Sequence, residues 1–486
     1  MLAFQQDDRS IGQYMMAKEN HFTGLKNIEL EHASAAQIGQ ILHANKGGAV
    51  EVAKFFLERI EAQTSPTFLT VTRERALAEA QASDIRLASG RTLSPLDGVP
   101  MAWKDLIDIK GTRTTVASNL FRDAPLAGAD AQAVRHATRA GMVTLGKVNL
   151  AEFAYSALGQ NPHFGTPLNP KKTNPHAPGG SSSGSAVAVA AGLAPAAIGS
   201  DTAGSVRIPA SFCGIVGLKT SEGQISTDGC FALSRTQDTL GPIAHSVEDC
   251  ALIFEAMTGQ VVGQIRSSSL EKLSIIVPTG FVIDDLSCAV SANFQASLDR
   301  LQNAGVQVRH TAIPALEVAA DMLRDFGSIV AAEAFYEHRS VMNGDSAALM
   351  DERVRARIEI GRMMSAHDLI ALQRQRALGM RLINETLDGA FLAMPTTPDT
   401  APALSAFEGD GDAFRFHNLR ANRNTSIGSF YDLPGLAIPN GVDATGLPTS
   451  FLLSAPSGAD ICLLQAGMAT ETIIRSEIEQ SGKDIG

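Results

Sequence analysis

Apolar and polar positions alternate in two distinct periods along this chain, and the switches between them mark its elements. "HASAAQIGQILHANKGGAVEVAKFFLERIEAQ" carries apolar residues at helical spacing, interrupted at Gly47–Gly48, so residues 1 to about 65 are expected to form helices packed on the remainder. "RERALAEAQASDIRLASG" predicts a further helix, closed by Gly90. "LDGVPMAWKDLIDIKG" predicts a turn at Asp97–Gly98, a short strand containing Lys104 and a second turn. "AQAVRHATRAGMVTLGKVNL" follows as helix, glycine and strand. Further on, "LSIIVPTG" and "VQVRHTAIP" predict strands flanking the helix "CAVSANFQASLDRLQNAG". A charged helical region is expected over about 314–388, and "GAFLAMPTTP", "LPGLAIPNG" and "PTSFLLSAP" predict late strands. Strands near both ends look like members of one sheet. The fold class is therefore α/β: a single large domain, 66–486, with a central mixed β-sheet flanked by helices on both faces and a core over about 98–258.

The middle of the chain breaks both periods. "APGGSSSGS" has the composition of a flexible linker. It runs on, however, into "AVAVAAGLAPAAIGSDTAGSVRIPASFCGIVGLKT", apolar, built of small residues and without a polar face. A buried helix that starts at the serine run accounts for this better than a hinge does.

Composition narrows the classes. The hydrophobic fraction, 44%, is that of a globular protein, and no run of eighteen bulky apolar residues suggests a membrane span. The first residues lack the basic-then-apolar pattern of a signal peptide. Cys213, Cys230, Cys250, Cys288 and Cys462 are scattered, odd in number and without CxxC spacing. Reduced, mostly buried thiols in a cytoplasmic protein are expected, with no disulfides and no metal site. A net charge of −11 without a basic run argues against nucleic acid as the main partner.

Amide hydrolysis needs an activated nucleophile, a proton shuttle and backbone donors for an oxyanion. "GSDTAGSVRIP" offers Ser205 in a turn after the strand-like "AAIGSDT". Ala203 and Gly204 there are small enough to let a carbonyl approach the N–H groups of Thr202, Ala203, Gly204 and Ser205. Taken alone, that turn reads sooner as an ordinary strand-to-helix connection with a capping serine; the serine run and Lys104 shift the balance. Lys104 sits in an apolar strand, where an ammonium is costly to desolvate. It requires either a carboxylate, Asp105 or Asp108 being nearest, or a lowered pKa. Strand alternation points Asp105 to the opposite face; Asp108 would share the face of Lys104 across a turn. His163 and His176 lie near these segments but outside any nucleophile-elbow context.

"GGSSSGSAVAVAAGLAPAAIGSDTAGSVRIPASFCGIVGLK" closely resembles the defining segment of the amidase signature family. "LDGVPMAWKDLIDIKGTRTTVAS", "LGKVNLAEFAYSALGQNPHFGTPLNP", "DTLGPIAHSVEDCAL" and "LPGLAIPNG" resemble its flanking motifs. The resemblance implies a Ser–Ser–Lys triad: Ser205 as nucleophile, Ser181 as bridging serine after a cis Gly180–Ser181 bond, and Lys104 as base. Ser181 rather than Ser182 or Ser183 keeps the family's separation from Ser205. Gly180, Ser182, Asp201 and Arg207 match supporting positions of the motif, with a structural Asp201–Arg207 ion pair as the alternative. Ala203 departs from the commoner glycine and narrows the oxyanion approach. No cofactor is implied.

The resemblance implies an amidohydrolase acting on a small carboxamide or a related carbamate or urea-like substrate. The alternative within the family is the glutaminase component of a tRNA-dependent amidotransferase. Those glutaminases clamp an amino acid with charged residues from their C-terminal half. Arg357 does not discriminate, and "RANRNTSIGSFYD" lacks the acidic residue that glutaminases place near its start. The pocket is expected to draw on residues 118–125, 158–164 and 405–432, and a homodimer is compatible with the chain.

Overall fold

The computed structural model describes residues 29–481, with side chains through residue 475; the expected helical stretch before residue 29 lies outside the described residues. Helices Ala35–Asn45 and Ala49–Glu61 follow, separated by Gly47 and Gly48 as the pattern required. The first opens on a capping box, in which Ser34 Oγ accepts from the N–H of Gln37 and Gln37 Oε1 accepts from that of Ser34.

Eleven strands among the described residues form one mixed sheet. They are β1 Phe68–Val71, β2 Pro100–Lys104, β3 Val143–Val148, β4 Ala196–Asp201, β5 Val216–Lys219 and β6 Thr239–Ala244. β7 Ser274–Thr279, β8 Gln307–Ala312, β9 Phe391–Pro395, β10 Gly435–Val442 and β11 Pro448–Ser454 complete it. The order is β1-β3-β2-β4-β6-β5-β10-β11-β9-β7-β8. β3, β2 and β4 run parallel, β4 turns antiparallel to β6, and β9, β7 and β8 form a second parallel block. Every residue of β2, β3 and β4 is buried, as parallel strands covered on both faces require. β8 ends the sheet with exposed Gln307, Arg309 and His310, polar side chains that blunt an edge.

One hydrophobic core runs from Phe56 of the N-terminal helices through Trp103 and Ile198 to Ile438 and Phe451, so both ends of the chain serve the same sheet. The charged region resolves into helices Pro314–Phe326, Ile329–Met342, Glu352–Met363 and Ala366–Leu387. The first and last pack with Ile276, Phe430 and Tyr431 in a second cluster.

One helix went unassigned in the sequence, and one reading needs correction. The helix Gly411–Phe430 has no apolar stripe in its sequence, because its buried positions include Asn418, Asn424, Thr425 and Ser429; tertiary hydrogen bonds replace the hydrophobic signal. The cysteines are free but not mostly buried: Cys213 and Cys250 are buried, Cys230 is half-buried, and Cys288 and Cys462 are exposed.

Candidate active site

Lys104 ends β2 with no solvent exposure, and its ammonium finds no carboxylate. Nζ donates to Ser181 Oγ at 2.7 Å, Ser200 Oγ at 2.8 Å and Ser182 Oγ at 2.9 Å. Burial without a paired charge brings its pKa from 10.5 to about 7, only partly opposed by the more distant Asp201 and Asp238. Neither carboxylate nearest in sequence pairs with it. Asp105 meets Lys147 at 2.7 Å, and Asp108 accepts from Thr114 Oγ1 at 2.6 Å.

The serine run is not a linker. The Gly180–Ser181 peptide is cis, and Ser183 begins the helix Ser183–Ala190, which is buried through Val189. Ser181 O accepts from Ala151 N, and Ser182 N donates to Ser205 O at 3.2 Å, so the run lies against the Ser205 turn. A Cβ on Gly180 would sit 2.4 Å from Ser156 O and 2.6 Å from Gly159 N. The glycine therefore admits main chain.

Asp201 organises the turn after β4. Its carboxylate takes a bidentate pair from Arg207, at 2.9 and 3.0 Å, and also accepts from the N–H of Gly204 at 2.7 Å and of Val206 at 3.1 Å. Arg207 holds its pKa down to about 2 despite complete burial. The ion pair and the turn-holding role, posed as alternatives, are thus one arrangement. The expected oxyanion donors lose one member, since the Gly204 N–H is already spent on Asp201. Among the described residues those of Thr202, Ala203 and Ser205 have no hydrogen-bond partner. Gly204 has φ +133°, and a Cβ there would lie 2.2 Å from Thr425 Oγ1. Its smallness serves the Gly411–Phe430 helix.

Two polar groups at the site escaped the sequence reading. Ser200 is the third hydroxyl on Lys104; a serine inside the apolar strand "AAIGSD" was the available signal. Asp238, the first residue of the quoted "DTLGPIAHSVEDCAL", accepts from Thr202 Oγ1 at 2.6 Å, and desolvation pushes it up to about 6. A narrow cleft, with a cavity volume of ≈ 20 Å³, reaches Ser200, Thr202 and Asp238 between Leu106, Phe231 and Leu240. None of the three expected pocket segments lines it; His417, Arg420 and Ala421 of 405–432 instead border a separate hollow beside Phe212. The loop between β5 and β6 builds this wall because β4 and β6 pair directly up to Asp201–Thr239.

His163 contacts Asn119 and His176 contacts the Asn174 carbonyl; neither makes a hydrogen bond to a serine. Half-buried Arg357 donates to Tyr155 O at 2.7 Å and lies 4.1 Å over the Tyr155 ring. Among the described residues no cluster of three or more His, Cys, Asp or Glu side chains is arranged to hold a metal ion, and no helix is long and apolar enough to cross a membrane.

Similarity to known proteins first gives a class. A solved amidase superimposes with a TM-score of 0.80 at 29% identity, over 90% of this chain and 99% of that one. The Amidase family profile matches residues 51–464. The chain belongs to the amidase family and is a hydrolase of carbon–nitrogen bonds. It is 33% identical to a glutamyl-tRNA(Gln) amidotransferase component of Cupriavidus necator, over 93% of this chain and 98% of that protein. It is also 33% identical to the 2-amino-5-chloromuconic acid deaminase of Comamonas testosteroni, over 82% and 87% respectively.

Proposed function

We propose that the protein hydrolyses a small carboxamide, or a related carbamate or urea-like substrate, through an acyl-enzyme on Ser205. Ser181 and neutral Lys104 form the proton relay. The observation that carries this reading is the set of partners around Lys104: three hydroxyls, one of them Ser181, and no carboxylate. An amine near its pKa at neutral pH can take a proton from Ser181 while Ser181 takes one from Ser205. Ser205 Oγ then attacks the carbonyl carbon, and the N–H groups of Thr202, Ala203 and Ser205 serve the oxyanion. The relay runs backwards to protonate the departing nitrogen as the C–N bond breaks. Water, deprotonated by the same relay, releases the acid and restores Ser205. Asp201 and Arg207 hold the turn, Gly180 admits the main chain behind Ser181, and Ser182 joins the run to Lys104.

The relative in Cupriavidus favours a second reading, a glutaminase working with partner proteins. Against it, the only acid in "RANRNTSIGSFYD" is Asp432 at its end, and that carboxylate is engaged by Lys219 and the N–H of Glu222. We therefore favour a free-standing cytoplasmic enzyme, active alone or as a homodimer, with 66–486 as its α/β domain.

The test is ammonia or amine release by the purified chain from a panel of amides, carbamates and glutamine, with hydroxylamine added to trap the acyl group as a hydroxamate. Release from a small substrate by the chain alone, lost in Ser205→Ala, is the expected result. Activity on glutamine only, and only with partner proteins and charged tRNA, replaces this reading with the second one.

A further inference from the structure

The wall of the cleft is held by carboxylates from two sides. On the inner side, Asp238 Oδ1 accepts from Thr202 Oγ1, and Oδ2 accepts from the N–H groups of Leu233 at 2.8 Å and Ser234 at 2.9 Å. On the outer side, Glu333 of the helix Ile329–Met342 accepts from Ser234 Oγ at 2.7 Å and from Thr236 N and Oγ1 at 3.1 and 2.8 Å. Glu337, one turn on, pairs with Arg235. A continuous set of contacts thus leads from this helix to Thr202.

The Thr202–Asp238 contact occupies a particular place in the sheet. β4 and β6 pair antiparallel through Asp201–Thr239, so Thr202 and Asp238 are the next pair in register, one step beyond the ladder. Their side chains make the bond there as the main chain of Thr202 leaves the sheet to form the Thr202–Ser205 turn. The two acids nearest this turn also differ in charge balance. Asp201 is neutralised by Arg207, whereas among the described residues no Lys or Arg pairs with Asp238.

We propose that Asp238 is a positioning residue for the hydrolysis: it fixes Thr202, and with it the first N–H of the Ser205 turn, and its uncompensated charge acts on Lys104. This rests on the Ser205–Ser181–Lys104 reading. The charged and titratable groups around Asp238 are Lys104 on β2, Asp201 at the end of β4, Arg235 and Cys230 of its own loop, and Glu333 and Glu337 behind that loop. Asp201 is neutralised by Arg207 and Arg235 is drawn to Glu337, which leaves Asp238 as an acid that acts on Lys104 without a paired cation of its own.

The experiment follows fluorophosphonate labelling of Ser205 by mass spectrometry across pH in the full chain, for the wild type, Asp238→Asn and Thr202→Val, with a melting temperature for each. An asparagine can keep both sides of the contact, its carbonyl oxygen accepting from the two N–H groups and its NH₂ donating to the Thr202 hydroxyl, so Asp238→Asn removes chiefly the charge. Thr202→Val removes the bond and keeps the charge. Thr202→Val is expected to label roughly 10- to 100-fold more slowly on the alkaline plateau, as for a displaced catalytic turn, whereas Asp238→Asn stays near the wild-type rate there. The pH midpoint should move towards acid in Asp238→Asn, because the ammonium form of Lys104 loses a stabilising neighbour. It should stay at the wild-type value in Thr202→Val. A wild-type rate in Thr202→Val, or an unmoved midpoint in a folded Asp238→Asn, overturns the proposal. If Asp238→Asn does not fold, the Thr202→Val rate decides alone. A wild type that carries no adduct on Ser205 overturns the reading beneath, and the proposal with it.

Discussion

Lys104 and Lys147 lie on neighbouring parallel strands, and both are fully buried, yet their surroundings are opposite. Lys147 meets Asp105 at 2.7 Å, the Arg113 carbonyl at 2.8 Å and Thr114 Oγ1 at 2.8 Å. Lys104 meets three hydroxyls. The carboxylate beside Lys104 in sequence belongs to its neighbour in space, because strand alternation sends Asp105 to the other side. A buried lysine therefore says little about chemistry until its partner is known: a carboxylate makes it a structural cation, and hydroxyls alone leave it able to exchange a proton near neutrality.

The largest effects should separate the two lysines outright. Lys104→Ala is expected to lower kcat roughly 10²- to 10⁴-fold, the usual contribution of a general base, while the melting temperature stays close to wild type because no new charge is buried. Lys147→Ala should do the reverse. It leaves Asp105 buried without its cation, at a cost of about 3–5 kcal/mol measured by chemical denaturation, while the protein that remains folded keeps its turnover.

A smaller effect concerns pH. Lys104 titrates near 7 in the folded chain against 10.5 ordinarily, so between those values the unfolded chain holds a proton that the folded chain lacks. Stability from this position is full above about 10.5 and is lost as pH falls through 7. Lys104→Met removes this dependence. Denaturation of both proteins at several pH values should show the wild type losing stability relative to the variant by a few kcal/mol as pH drops, at about 1.4 kcal/mol per unit. Lys147 contributes equally to both and cancels. A parallel pair of curves would mean that Lys104 is charged throughout.

The smallest effect is assigned to Ser200. Ser200→Ala should remove one acceptor from the Lys104 ammonium, shift the acid limb of activity slightly towards lower pH and change the rate only a few-fold, in keeping with a hydrogen bond worth about 1 kcal/mol.

The legibility of the molecule follows the same contrast. Lys104 stood out because an ammonium is costly in an apolar strand, whereas Ser181 and Ser205 were singled out through the resemblance to the amidase signature segment. The contacts that Ser200 and Asp238 make were not legible, since both form across strands that are remote in sequence. The sheet followed from apolar runs such as "LSIIVPTG". β5 and β6 were missed because they are short, buried on both faces and contain Gly217, Gly241 and Pro242, which erase the alternation. The Gly411–Phe430 helix was missed because a polar face buries it. The carboxylate of Asp201 was expected to support the turn, but its use of the Gly204 N–H could be seen only once the loop had a shape.

Lys104→Arg tests the central claim most directly. A guanidinium keeps its proton at any working pH and cannot accept one from Ser181. With Lys104 as a neutral base, the variant should have turnover as low as Lys104→Ala at every pH from about 6 to about 10, whatever its melting temperature. A folded Lys104→Arg enzyme with turnover near wild type would contradict the account, because it would make Lys104 a structural cation like Lys147.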